Sequence, residues 1–299
     1  MMKKRILFIM NPISGTSNKK GIPDLIRSGI DTERFDYEIR LTEYAGHAAV
    51  IAAEARDNHI DIVVAVGGDG TVNEVARSLV HSDTALGIIP CGSGNGLARH
   101  LMLPLNVKKA IAVINKCEIH KLDYGVINGH DFFCTCGMGF DATVSYKFSN
   151  EGTRGFITYI KTALTEYIKY KPQEYIIDID GMRMKEKAFV IACCNAAQYG
   201  NNAYIAPRAT MQDGMLDLTV MHPFNFVESP LIGARLFLRQ LGHDNHVSIY
   251  RGKRVTIERS HDDILHIDGD PVMMPARVVI ENVRRGINIL VPPTLPDDV

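Results

Sequence analysis

The chain has 299 residues, a formal net charge of −1 and 46% hydrophobic residues. This length suits one large domain or two moderate ones, and the near-neutral charge excludes a global field that would draw the protein to nucleic acid or to an anionic membrane. No apolar run reaches the roughly 18 residues of a membrane-spanning helix, and the six cysteines show no zinc-ligand spacing. We therefore expect a cytoplasmic protein with reduced thiols, no transmembrane segment and no nucleic-acid partner.

The first part of the chain alternates between strand and helix patterns. Short apolar, β-branched runs predict strands, and longer amphipathic runs between them predict helices. The predicted strands are Ile6–Met10, Tyr37–Leu41, Ile62–Val66, Leu86–Ile89 and Glu118–Tyr124, and the predicted helices are Lys19–Ser28, Gly46–Asn58, Thr71–Leu79 and Val107–Lys116. This alternation predicts an α/β domain built on a parallel sheet with crossover helices.

The pattern changes near Val126, where one strand run follows another. The predicted strands here are Asp131–Cys136, Tyr175–Ile179, Ala188–Ala192, Leu216–Met221, His246–Ile257, Ile264–Ile267, Arg277–Glu281 and Gly286–Val291, with helical insertions at Arg154–Tyr170 and Phe226–Gln240. Asp180-Gly181 is a hairpin signal, and a series of strands predicts an antiparallel sandwich. We expect a nucleotide domain over residues 1–125 and a β-rich sandwich domain over residues 126–299.

Glycine-rich turns follow three of the predicted parallel strands. They are NPISG at Asn11–Gly15, GGDG at Gly67–Gly70 and CGSGNGLA at Cys91–Ala98. Glycines at a strand-to-helix turn let a ligand approach the backbone, and the free N–H groups of a helix N-terminus favour phosphate. The side chains of Ser93 and Asn95 can donate to phosphate oxygens. Neither the dinucleotide fingerprint nor the P-loop spacing is present, which disfavours a nicotinamide oxidoreductase.

Asp69 is the acid within these turns. A bare carboxylate would repel phosphate, so we expect Asp69 to act through a metal ion or a hydroxyl group. That expectation indicates phosphate chemistry more than passive dinucleotide binding, and the alternative is a tight turn with a helix cap. Three glycine turns at the carboxyl ends of parallel strands suit the crevice where open α/β sheets bind ligands.

These three motifs, in this order and spacing, resemble the diacylglycerol kinase catalytic family, which includes bacterial lipid kinases and the sphingosine and ceramide kinases. Later segments resemble the same family, namely GMGFDA at Gly137–Ala142, the stretch Asn201–Pro207, DGMLD at Asp213–Asp217 and DGD at Asp268–Asp270. GGDGT alone is shared with NAD kinases and phosphofructokinases, so only the combination is specific. The resemblance covers nearly the whole chain and implies an ATP-dependent lipid kinase whose last strand or tail returns to the first domain.

The resemblance implies a nucleotide site across the three turns. The residues it assigns to ATP are Asn11, Pro12, Ser14, Gly15, Thr42, Gly67, Gly68, Asp69, Gly70, Thr71, Asn73, Gly92, Ser93 and Asn95. Mg²⁺ would bridge the β- and γ-phosphates, where phosphoryl transfer needs positive charge. Thr42 also suits a helix N-cap, and both interpretations stay open.

A structural Mg²⁺ is also implied by the resemblance. Its ligands would be the carboxylate of Asp213 and the backbone carbonyls of Thr210 and Met215. Mg²⁺ prefers octahedral oxygen ligation with several waters, so one carboxylate and two carbonyls suffice. The alternative is an ordinary acid in a hairpin turn.

The turn Asp268–Asp270 carries the general base in the family, where the usual sequence is DGE. Asp270 is one methylene shorter than Glu, so Asp268 and Asp270 compete for the role and Asp268 is favoured; the alternative is a plain Asp-Gly turn. The resemblance also places Asp123 in an acid and water network with Asp69. Asp69, Asp123 and Asp268 could together hold the catalytic Mg²⁺, whereas a lone Asp at a strand end is usually a solvated cap.

The acceptor is the least determined feature. Diacylglycerol is favoured, but GSGN at Gly92–Asn95 looks more like the sphingosine and ceramide kinases, so a sphingoid base or ceramide is an alternative. An NAD kinase and an inactive nucleotide or lipid sensor are the others. The resemblance implies a membrane lipid reached by peripheral contact, and a homodimer stays open. The basic and aromatic residues of Arg154–Tyr170 suit either a solvated helix face or a contact with anionic lipid.

Overall fold

A computed structural model of the chain describes residues 3–12, 21–150, 165–167 and 169–296. The chain forms two units, one of Met1–Leu122 with Arg285–Val299 and one of Asp123–Arg284. Ser14 and Gly15, which the sequence assigns to the nucleotide, lie outside the described residues, as does most of the predicted insertion Arg154–Tyr170.

Four parallel strands form the centre of the first unit. In chain order its elements are β1 (Lys4–Met10), α1 (Ile22–Gly29), β2 (Phe35–Leu41), α2 (His47–Asp57), β3 (Ile62–Gly67), α3 (Asp69–Leu79), β4 (Ala85–Pro90), α4 (Gly96–His100) and α5 (Val107–Lys116). The strand order is β2-β1-β3-β4 and every neighbouring pair is parallel, as the alternating pattern predicts. Crossover helices cover both faces of such a sheet, so β3 and β4 are buried along their whole length.

Two strands connect this unit to the rest of the chain. They are β5 (Ile119–Ile127), which leaves it, and β16 (Arg277–Leu290), which enters it. In the last residues of β16, Ile289 pairs in parallel with Leu86 of β4. The N–H of Val291 then donates to the carbonyl of Glu118 at 3.0 Å, so the end of the chain is held within the first unit.

Antiparallel strands dominate the second unit. Its further elements are β6 (His130–Phe132), β7 (Thr135–Gly139), α6 (Phe140–Asn150), β8 (Gln173–Ile179), β9 (Met182–Ala188), β10 (Val190–Cys194), β11 (Leu216–Met221), α7 (Ser229–Phe237), β12 (Val247–Gly252), β13 (Arg254–Glu258), β14 (Asp263–Ile267) and β15 (Asp270–Met274). One sheet has the order β12-β11-β10-β7-β14-β15, and β9, β8, β13 and the first part of β16 pair in a second sheet. Met138 and Leu218 of the six-stranded sheet that contains β7 and β11 share one core with Ile177 of β8 and Ile257 of β13. This shared core confirms the predicted sandwich.

Two differences from the predicted strands have a clear structural reason. The predicted strand His246–Ile257 is two strands, since the chain changes sheets at Gly252: β12 pairs with β11, and β13 pairs with β8 and β16. The predicted strands Arg277–Glu281 and Gly286–Val291 are one, β16. The hairpin at Asp180-Gly181 is confirmed, with φ of 50° and 93° between β8 and β9.

Candidate active site

The described residues that the sequence assigns to the nucleotide lie along one edge of the first unit. Asn11 follows β1, Thr42 follows β2, Gly68 follows β3 and Cys91 follows β4. Backbone hydrogen bonds tie these strand ends together, from Asn11 to Val66 at 3.2 Å, from Thr42 to Met10 at 2.9 Å and from Cys91 to Gly67 at 2.7 Å. The parallel order of the strands therefore brings the described parts of all three turns to the same edge.

Asp69 links two of these turns. Its Oδ2 accepts the N–H of Asn95 at 2.9 Å and its Oδ1 accepts the N–H of Gly96 at 2.6 Å. Burial raises the pKa of the Asp69 carboxyl group, and the hydrogen bonds from Gly96 and Asn95 oppose that shift. The carboxylate thus has a direct role that the sequence did not show, which is to hold the turn after β4 against the turn after β3.

Asn95 shapes the second turn through its side-chain amide. The side chain accepts the N–H of Gly92 through Oδ1 and donates to the carbonyl of Gly92 through Nδ2, each at 2.8 Å. The residue itself is in the left-handed region, with φ of 51°. The bonds with Gly92 use the oxygen and one N–H of the amide, which leaves its second N–H for a phosphate group, and Ser93 in the same turn is exposed.

The two glycine turns touch each other through their backbones. A Cβ added at Gly92 would lie 2.6 Å from the Cα of Gly68, a distance that real Cβ atoms do not reach. Each turn therefore needs glycine where the other approaches. Around Gly70, by contrast, a Cβ would meet nothing within 4 Å, which leaves the first turn of α3 open above its backbone.

We expect Gly92→Ala to destabilise the protein by about 1–3 kcal/mol, since the added methyl group forces the two turns apart. Thermal denaturation measures the effect, and Gly70→Ala is the matched control because it adds the same group in open space. Equal melting temperatures for the two variants would contradict the close contact of the turns.

Glu74 is a functional candidate that the sequence analysis missed. It lies within GGDGTVNE on α3, and its carboxylate accepts the N–H groups of Gly46 at 3.0 Å and of Ala48 at 3.1 Å. It therefore binds the N-terminus of α2, where a carboxylate is favoured. The local sequence gives no signal of this, since Gly46 is 28 residues away. On the same helix Asn73 is buried, and its Nδ2 has no hydrogen-bond partner among the described residues.

In the second unit, Asp268 is bound by the backbone. Its carboxylate accepts the N–H groups of Phe133 at 2.8 Å, Cys134 at 2.7 Å and Thr135 at 2.9 Å. Asp268 and Gly269 have φ of 51° and 91° and form the tight turn between β14 and β15. The plain Asp-Gly turn is thus present, and Asp268 holds it in place. Asp270 is exposed at the start of β15.

Asp123 has a similar positioning role. It is fully buried, and its Oδ2 accepts the N–H of Gly214 at 2.7 Å, while its own N–H donates to the carbonyl of Met211 at 2.8 Å. Asn195 donates to the Asp123 carbonyl at 3.1 Å. Asp123 therefore fixes the loop that contains Asp213, and it is not a solvated cap.

The carboxylate of Asp213, which the resemblance assigns to a structural Mg²⁺, is engaged by protein groups in this structure. Its Oδ2 is ion-paired with Arg251 and its Oδ1 accepts the N–H of Met215 at 2.9 Å. The carbonyl of Met215, one of the two carbonyls that the resemblance assigns to the ion, accepts a hydrogen bond from Asn282 at 3.3 Å.

Arg251 already supplies the positive charge here. It lies on β12 directly opposite Asp217 of β11, and its Nε is 3.5 Å from Asp217 Oδ2. Burial raises the pKa of Asp217 to about 6, and the charge of Arg251 opposes that shift. One guanidinium group thus balances two carboxylates, Asp213 and Asp217.

We expect the melting temperature of the wild-type protein to be the same in excess MgCl₂ and in EDTA, because Arg251 occupies the charge site. Arg251→Gln should lower stability by about 1–3 kcal/mol, less than the loss of a fully buried pair because the guanidinium is partly exposed and screened. Arg254→Gln, which breaks an exposed pair with Glu281, is the control. A wild-type melting temperature that rises with the Mg²⁺ concentration would instead support a structural Mg²⁺ at Asp213.

A second polar cluster, which the sequence did not predict, includes the acid of the GMGFDA segment. Asp141 Oδ2 accepts the hydroxyl of Tyr199 at 2.8 Å and lies 3.0 Å from Nε2 of His266, which is buried. A Cβ at Gly137 would come within 2.6 Å of the Asp141 carboxylate and 2.7 Å of the His266 ring. Gly137 is therefore required for the acid and the histidine to meet.

Comparisons with known proteins agree with these features along the whole chain. Residues 5–127 match the diacylglycerol kinase catalytic domain, and residues 134–291 match the YegS C-terminal NAD kinase beta sandwich-like domain. A diacylglycerol kinase of Bacillus subtilis (strain 168) is 28% identical over 297 residues, which is 97% of each chain. One from Staphylococcus aureus (strain MRSA252) is 28% identical over 97% of this chain and 93% of its own.

Solved structures share the fold. A crystal structure of a diacylglycerol kinase from Bacillus anthracis str. Sterne has a TM-score of 0.76 at 22% identity and covers 98% of both chains. An NAD kinase from Archaeoglobus fulgidus in complex with ATP has a TM-score of 0.55 at 14% identity, over 97% of this chain and 94% of its own. The two domain matches cover both units, and with the full-length relatives they place this chain in the diacylglycerol kinase catalytic family of enzymes.

Proposed function

We propose that the protein is an ATP-dependent lipid kinase that transfers the γ-phosphate to a primary hydroxyl group of a lipid, with diacylglycerol as the favoured acceptor. The observation that carries the proposal is the pair of glycine turns that Asp69 holds together at the edge of the parallel sheet. The acceptor class rests on the relatives named diacylglycerol kinase, which match over nearly the full chain.

The phosphate groups of ATP would bind at the start of α3. The first N–H groups of a helix have no partner within it, and here they belong to residues such as Gly70 and Thr71. The exposed hydroxyl group of Ser93 can donate to the same phosphates. When bound with ATP, Mg²⁺ would supply positive charge that offsets the charge of the phosphates during the transfer.

The proton of the acceptor hydroxyl group would pass to Asp270. As the hydroxyl oxygen bonds to the γ-phosphorus, the bond from that phosphorus to the β,γ-bridging oxygen breaks, and ADP leaves with that oxygen. Asp268 is less suited to take the proton, because its oxygens already accept three backbone N–H groups. Asp270 is exposed and is separated from Asp268 by Gly269 alone. We therefore assign the general base to Asp270 and the positioning of the turn to Asp268.

One assay separates the candidate acceptors. The protein is incubated with γ-labelled ATP and, in separate reactions, with diacylglycerol, a sphingoid base, ceramide, undecaprenol or NAD, and the labelled product is identified. Labelled phosphatidic acid supports the proposal. Label in a sphingoid base, in ceramide or in NADP would assign one of the alternative kinases, and no transfer to any acceptor would support a sensor.

We also propose that the lipid is reached by peripheral contact with a membrane. Each helix that the structure describes is too short or too polar to cross a bilayer. A lipid with two acyl chains stays in the bilayer, so an enzyme that phosphorylates its head group has to work at the membrane surface.

A further inference from the structure

The outward face of α7 and of its flanking residues is apolar. A 3-10 turn, Phe226–Glu228, leads into α7 at Ser229–Phe237. Along this segment Val227 is 87% exposed, Leu231 55% and Leu238 64%. Single exposed hydrophobic residues are ordinary, but a contiguous group of them marks an interaction surface.

The spacing of these residues places them on one side of the helix. Val227, Leu231, Ala234 and Leu238 are all exposed and follow the pattern i, i+4, i+7 and i+11, with Pro230 and Phe237 beside them. This spacing gives one face of a helix with 3.6 residues per turn. We call Val227, Leu231, Ala234 and Leu238 the apolar stripe, and it contains no charged residue.

The opposite face fixes the helix to the second unit. Ile232 is buried in a core cluster with Phe189 and Leu241. The guanidinium of Arg235 binds the buried carboxylate of Asp244 at 2.5 Å. These contacts hold the inner face of α7 against the second unit, so the apolar stripe faces outward.

Exposed cations stand at both ends of the stripe. At its start, the ring of Tyr167 is 5.4 Å from the ring of Phe226, and the exposed Lys169 and Lys171 follow Tyr167 closely in the chain. At its end is Arg239, which is exposed and lies over the ring of Tyr204 at 4.1 Å.

We propose that the apolar stripe is the surface by which this protein contacts an anionic lipid bilayer. An interfacial helix places an apolar face among the acyl chains while cations near its ends meet the lipid phosphates. This surface rests on the proposed lipid kinase function and names where that enzyme meets its membrane.

The test compares two double variants of the full chain. Leu231→Ser with Leu238→Ser removes the centre and end of the stripe, and Leu105→Ser with Met182→Ser changes two hydrophobic residues that are 42% and 52% exposed elsewhere. Binding is measured by co-sedimentation with vesicles of phosphatidylcholine and phosphatidylglycerol, and thermal denaturation checks the fold. The stripe variant should bind about tenfold or more weakly, because it replaces two of the exposed apolar side chains that would insert among the acyl chains. The control should bind as the wild type does.

Two kinase assays separate this inference from the proposed function. With a short-chain, water-soluble diacylglycerol the stripe variant should match the wild type, and with diacylglycerol in vesicles it should be slower. If no diacylglycerol is phosphorylated but vesicle binding still depends on the stripe, the proposed lipid kinase function is wrong and the stripe is still supported as the membrane-binding surface. Unchanged vesicle binding by the stripe variant overturns the surface. So does a wild-type dimer in sedimentation equilibrium that becomes a monomer in that variant, with vesicle binding retained.

Discussion

Asp270→Asn is expected to lower kcat by about a hundred- to ten-thousandfold, because proton acceptance from the attacking hydroxyl group typically contributes that much. Its melting temperature should match that of the wild type, since Asp270 is exposed. Initial rates with saturating ATP and lipid measure the first quantity, and thermal denaturation measures the second. Asp270→Glu restores the length usual in the family and should keep or raise the rate.

Asp268→Asn is the matched control, and it should lower stability while it keeps much of the activity. The amide is neutral and has one acceptor oxygen where the carboxylate has two, so at least one of the N–H groups of Phe133, Cys134 and Thr135 loses its acceptor. A loss of about 1–3 kcal/mol in stability is expected, with appreciable activity kept below the melting transition. A dead but stable Asp268 variant beside an active Asp270 variant would return the base to Asp268. Full activity in both would remove this turn from catalysis.

Asp69→Asn is expected to lower kcat/KM by at least roughly a hundredfold, the usual size of a lost charge-stabilising group at a phosphoryl-transfer site. The structure gives a specific reason: the amide cannot accept both N–H groups of Asn95 and Gly96, so the turn after β4 moves away from the turn after β3. Steady-state kinetics with ATP as the varied substrate measure the loss. Asp57→Asn, at an exposed acid paired with Arg56, is the control.

The two kinetic constants separate two roles of Asp69. If Asp69 acts by holding the glycine turns, KM for ATP rises in the Asn variant. If it acts on a metal ion in the transition state, kcat falls while KM for ATP is kept. Values of kcat and of KM for ATP that are both close to wild type would reject both roles and leave Asp69 as a helix-terminal acid without catalytic effect.

Local sequence patterns were sufficient for most of the fold. The β-branched run of β3 is buried along its length, which is the property that its residues show in the sequence. The Asp-Gly pair at 180–181 adopts positive φ at both residues, as its hairpin signal predicts. The patterns failed at Gly252, where the chain passes from one sheet to the other and one predicted strand becomes two. They failed there because a single stretch of sequence does not show which strands pair.

In the candidate site, too, some features follow from local sequence and others depend on the tertiary structure. The sequence by itself determined which residues follow the parallel strands and that glycine is required in the turns, because strand and turn preferences are local. Only the tertiary structure decided what the acids do. Asp69 binds backbone groups 26 and 27 residues away, and Asp268 binds N–H groups 133 to 135 residues away. Arg251 neutralises Asp213 across a distance of 38 residues. A carboxylate has the same sequence signature whether it meets a metal ion, a guanidinium group or a row of N–H groups. Its partner is set by the packing of distant strands, and that packing is a property of the whole chain.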